Sequence, residues 1–96
     1  MKKFHVTIDF EWQDSFQELI ADHRKLINEL IENGVIDHYV VTMESQRIWI
    51  TINASDKASV DEYLSQSPLF NYWIYEIDEL FISDGVHYRL PAVQLN

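Results

Sequence analysis

A chain of 96 residues, 47% apolar and 14% aromatic, has single-domain length and enough bulk for one core with large side chains to spare for a second surface. Its 16 acidic against 7 basic residues, a formal net charge of -9, argue against binding a phosphate backbone or an anionic membrane. It has no cysteine, which excludes disulfides and thiolate metal sites.

Met1-Lys2-Lys3 leads directly into alternating residues, without a signal-peptide stretch or a bilayer-length apolar run, so a cytoplasmic location is expected. Phe4, Val6, Ile8 and Phe10 alternate with His5, Thr7 and Asp9, the period of a strand. Asp14 or Ser15 is expected to cap the helix that follows. Its apolar positions, Phe16, Leu19, Ile20, Leu26, Ile27, Leu30 and Ile31, form one stripe. His23, four after Leu19 and three before Leu26, borders that stripe. Asn33-Gly34 ends the helix, with Gly34 suited to a left-handed C-cap.

A second strand is predicted over 35–43 and a turn at Glu44-Ser45-Gln46. A third strand sets Ile48, Ile50 and Ile52 against Arg47, Trp49 and Thr51, so the two strands read as an antiparallel hairpin. Residues 53–56 are rich in capping side chains. A shorter helix over 57–66 buries Val60, Tyr63 and Leu64, and Ser67-Pro68 breaks it. A last strand is predicted over 72–82. The whole reads as one domain, 1–96, with a core of 3–82 and a tail, 83–96, able to contact or exchange with a partner subunit.

The order β-α-β-β-α-β is the ferredoxin-like pattern: an α+β fold with a four-stranded antiparallel sheet and two helices on one face. On the other face the alternation leaves His5, Thr7, His38, Val40, Trp49, Thr51, Ile74 and Glu76. That mixture is more apolar than a solvated sheet face. A second copy packing its own sheet there would hide it and leave a pocket between the sheets, making a homodimer or larger homo-oligomer.

Candidate chemistry concentrates in a few residues. His5 and Glu76 fall on neighbouring strands and point away from the helices. They suit a base and its partner for moving a proton beside a carbonyl, or a cross-strand ion pair in an interface. His38 falls on the same face. Trp49 is a substrate platform or a packing aromatic. In the first helix, His23-Arg24 offers a bidentate donor for a substrate carboxylate, although Arg24 could equally pair with Asp22 or Glu29. No Gly-rich phosphate loop, His-x-x-x-His spacing or nucleophile elbow occurs, so neither metal nor cofactor is expected.

Pro68-Leu69-Phe70, then Tyr72, then Glu76-x-Asp78-x-Leu80 resembles the closing segment of the muconolactone isomerase-like family. Phe4-His5-Val6 with Asp9 is similar to that family's first strand, and Arg24, Glu29-Leu30, Gly34 and His38 fall at matching places. The similarity spans roughly residues 4–82. It implies a dimeric α+β barrel, often built into larger rings, and a cofactor-free proton shift within an unsaturated lactone. Two other functions fit the same barrel. One is a non-catalytic small-ligand-binding or assembly protein, and the other is a cofactor-free monooxygenase.

Overall fold

The computed structural model of the chain describes residues 1–84. Four strands, β1 (Lys2–Asp9), β2 (Ile36–Thr42), β3 (Arg47–Ala54) and β4 (Ile74–Glu79), and two helices, α1 (Gln17–Glu32) and α2 (Lys57–Ser65), follow one another as β-α-β-β-α-β. All pairings are antiparallel, in the order β2-β3-β1-β4. The two halves of the ferredoxin-like pattern interleave, so β1 and β3 occupy the centre.

The alternation in the sequence becomes two faces. Phe4, Val6 and Ile8 of β1 and Ile48, Ile50, Ile52 and Ala54 of β3 are buried beneath the helices. Helix α1 answers with His23, Ile27 and Leu30, and α2 with Val60 and Leu64. Phe16, Ile20, His23, Ile27 and Leu30 step by four and three along one side of the chain. The histidine therefore fills a core slot, and it is only 2% exposed.

Local signals set most boundaries. Gly34 has φ +76°. Its N–H donates to Ile31 O at 3.0 Å and the Val35 N–H donates to Leu30 O at 2.9 Å, a Schellman close to α1. Asp56 caps α2 by accepting from the Ser59 N–H at 2.8 Å, and that bond holds its carboxyl below the usual carboxylate range. At the start of α1 the expectation of a side-chain cap fails. Asp14–Phe16 forms a 3-10 turn that runs straight into the helix, and neither Asp14 nor Ser15 caps it.

The last strand is shorter than its apolar run suggested. After Pro68, a 3-10 turn at Phe70–Tyr72 uses the Tyr72 and Trp73 N–H groups locally, on Leu69 O and Phe70 O. Pairing with β1 therefore begins only at Ile74. No helix among the described residues is long and apolar enough to cross a membrane. The tail from 85 onward, and with it the expected exchange between subunits, lies outside the described residues.

Candidate functional site

Three segments meet beside the first half of α1. The helix carries His23 inward and Arg24 at its rim. Strand β2 has an irregularity between Ile36 and His38, after which Tyr39 stands opposite Ile50 and so shares the helix side of the sheet. The turn that Pro68 imposes after α2 brings Ser67, Leu69 and Trp73 under the same helix. Between these elements lies a cavity of about 160 Å³. Phe10, Phe16, Ile20 and Ile48 make much of its wall, and Trp12 and Met43 stand at the rim.

Its polar groups form a chain. His23 Nδ1 lies 2.8 Å from Ser67 Oγ, and His23 Nε2 lies 2.8 Å from the Tyr39 hydroxyl. Ser67 Oγ also accepts the Leu69 N–H at 3.1 Å. Trp73 stands edge-on to the imidazole, with ring centroids 5.7 Å apart. The Arg24 guanidinium lies 5.7 Å from the centre of the Tyr39 ring, a cation–π distance.

Burial dominates the titration of both rings. It lowers His23 to about 4, helped by the charge of Arg24, so the imidazole is neutral near pH 7. It raises Tyr39 to about 12, against the opposing pull of Arg24. The site is an apolar pocket with a neutral imidazole, a protonated phenol and one fixed cation. An engineered apolar cavity of about 150 Å³ holds a benzene molecule, so this one has room for a single small ring.

The candidates read from sequence divide between the two faces of the sheet. His23 and Arg24 come together at the cavity. Arg24 pairs with neither Asp22 nor Glu29, and among the described residues it makes no ion pair. His5, Glu76, His38 and Trp49 all lie on the helix-free face. There His5 stands opposite Thr51 and Asp78, while Glu76 stands opposite Thr7. The two are thus diagonal neighbours rather than a direct pair. His38 faces Thr51 at the edge, and Trp49 lies beneath Arg47, 5.8 Å from guanidinium to ring centre. This cavity is on the helix side, whereas the sequence located a pocket between two copies on the other face. Among the described residues no cluster of three or more His, Asp or Glu is arranged to hold a metal ion.

Neither Tyr39 nor Ser67 stood out in the sequence as a site residue. Tyr39 left a signal: His38 and Val40 point outward, so the tyrosine between them points inward, and a buried phenol needs a partner. Ser67 left none, because its bond to His23 spans 44 residues and depends on the turn at Pro68.

No family model matches the chain, and no curated protein matches it. Among solved structures it is similar to the crystal structure of muconolactone isomerase, with a TM-score of 0.70 and 24% identity, over 85% of this chain and 97% of that one. The shared feature is the fold: a four-stranded antiparallel sheet with two helices on one side.

Proposed function

We propose that the chain takes one small ring compound bearing a carbonyl, an unsaturated lactone or a related organic acid, into the helix-side cavity and catalyses a cofactor-free proton shift within it. The observation that carries this reading is the cavity itself: about 160 Å³, largely apolar, with Tyr39, His23 and Arg24 converging at one end. A proton shift beside a carbonyl builds negative charge on oxygen, and preorganised donors lower its barrier. In this proposal the Tyr39 hydroxyl and the Arg24 guanidinium are those donors. His23 acts through Tyr39, hydrogen-bonded to its hydroxyl; water at the cavity mouth takes the proton from one carbon and returns it to the other, while the apolar wall holds the ring in place.

The experiment is hydrogen–deuterium exchange at the carbon next to the carbonyl, followed by NMR over a panel of small lactones in heavy water. Exchange above the buffer rate, abolished in Tyr39→Phe, supports the proposal. No exchange with any member of the panel refutes it.

One observation favours a second reading, a binding protein without chemistry. Both imidazole nitrogens are engaged, and a pKa near 4 makes His23 a weak base at neutral pH. Saturable binding of the same rings with no exchange would select that reading.

The proposal extends to assembly. The helix-free face exposes Val40 (38%) next to Trp49 on one side and Ile74 (78%) on the opposite edge strand, apolar positions among polar residues that suit a second copy. His5, Glu76 and His38 belong to that contact rather than to the chemistry. Sedimentation of the wild type as a monomer at micromolar concentration would remove this part and leave the cavity reading standing.

A further inference from the structure

The Ser67–His23–Tyr39 chain has a direction, and the direction decides what the cavity can hold. Ser67 Oγ makes two contacts among the described residues, with the Leu69 N–H and with His23 Nδ1. The Leu69 N–H donates, so the one hydrogen on the Ser67 hydroxyl has Nδ1 as its available acceptor. Ser67 is 6% exposed, so water does not readily replace that partner. If Nδ1 carried the imidazole proton instead, Ser67 Oγ would accept two bonds and its own hydrogen would be stranded. Stranding a buried hydroxyl hydrogen disfavours that tautomer by roughly tenfold or more.

We infer that Ser67 fixes His23 as the Nε2–H tautomer. The Nε2–H then donates to the Tyr39 oxygen, 2.8 Å away. Arg24, which can only donate, draws on the same oxygen by its charge. With its oxygen receiving, the Tyr39 hydroxyl must send its hydrogen elsewhere, and the cavity that Tyr39 lines is the open direction. The site thus presents an O–H donor and selects ligands by an acceptor oxygen, a carbonyl or a carboxylate, while rejecting rings that offer an N–H or O–H at that point. Ser67 touches no ligand and acts as a positioning residue. This inference deepens the proposed function by naming the recognised group, and it rests on the same cavity.

Two measurements test it, and neither depends on turnover. The first is the imidazole 15N spectrum of ligand-free protein at neutral pH. A bare Nδ1 and a protonated Nε2 on His23 are expected. Ser67→Thr, which keeps the hydroxyl, should retain that pattern, and Ser67→Ala should lose it for a mixture. A protonated Nδ1 in the wild type, or an unchanged pattern in a folded Ser67→Ala, overturns the lock.

The second compares two uncharged five-membered rings by chemical-shift titration: γ-butyrolactone, which only accepts, and pyrrole, whose N–H only donates. The lactone should bind about tenfold tighter, and Tyr39→Phe should level the two. Equal affinities in the wild type, or no lactone binding up to the highest concentration at which the protein stays folded, overturns the ligand class. A failed exchange assay removes the isomerase reading without altering either result.

Discussion

Acid should destabilise this protein through His23 in a way that one substitution can isolate. The imidazole is 2% exposed, and its pKa falls from 6.5 to about 4 in the folded chain, by desolvation first and by Arg24 second. A depressed histidine pKa means that the unfolded state takes up the proton first. The stabilisation is therefore complete above about pH 6.5, is lost as the pH falls from there toward about 4, and changes no further below that. At 1.36 kcal/mol for each pKa unit, the full window is worth about 3 kcal/mol, a large part of the stability of a domain this size. Carboxylates also titrate in this range, so the wild type alone cannot report the histidine. His23→Gln keeps a donor and an acceptor for Tyr39 and Ser67 but cannot be charged. Urea unfolding of both proteins at about pH 7.5 and about pH 4.5 gives a double difference in which the shared carboxylates cancel. The wild type should lose roughly 2 to 3 kcal/mol more than the variant. Equal losses, or an NMR titration of His23 near its ordinary value, would refute the picture of a neutral imidazole locked in the core.

Arg24→Met should weaken binding of a small ring carboxylate about tenfold, since an exposed cation contributes at the low end of charged hydrogen bonds, and should leave the matching neutral lactone nearly unchanged; isothermal titration of the pair reads this. Gly34→Ala should cost about 1 kcal/mol in chemical denaturation, because φ is +76° and nothing lies within 4 Å of an added Cβ, so the loss is one of backbone conformation. Ile50→Ala, at a side chain 1% exposed in the central strand β3, should cost 2 to 5 kcal/mol by the same assay, more than any change on the helix-free face.

The architecture was legible because its signals are local. Period-two alternation in 4–10 and 47–52 named the two central strands and their buried face. The three-and-four spacing of α1 and the glycine at 34 named a helix and its end. What the sequence misplaced needed tertiary context. The run before Ile74 has strand composition, but Pro68 feeds a 3-10 turn that claims the N–H groups of Tyr72 and Trp73. Cap-type residues at 14 and 15 fall inside a turn rather than at a helix start.

The site was half legible for the same reason. His23 read as a residue bordering the stripe because a histidine is polar, yet its spacing to Phe16, Ile20, Ile27 and Leu30 is that of a core position. A polar ring in such a slot needs two partners inside the core, and both come from elsewhere in the chain: Tyr39, sixteen residues on, and Ser67, forty-four on. His5 and Glu76 attracted attention because the sheet order makes their strands neighbours, which the structure has. The pocket expected above them lies between two copies of the chain. The single chain leaves Glu76 exposed and His5 half-buried.

Charge narrows what the cavity would hold. The chain carries a net charge of -9, and its summed field lowers the concentration of anions near any opening. Arg24 at the rim is the local exception, and a single exposed guanidinium gives back only a modest attraction. A dianion therefore faces repulsion that the site does not answer. A neutral ring needs no such answer, and a monoanion can spend its one charge on Arg24. The walls are apolar and the volume admits one small ring, so burial of the ring is the main source of affinity and the polar corner sets orientation. Orientation is what a proton shift requires, because the carbon that loses the proton must sit beside the donor that steadies the oxygen. Tyr39 is the residue where these demands meet: it lines the cavity, borders Arg24 and takes its polarity from His23. A chain that folded identically but carried phenylalanine at position 39 would still bury a ring, and would have no donor at the tyrosine position to hold its oxygen.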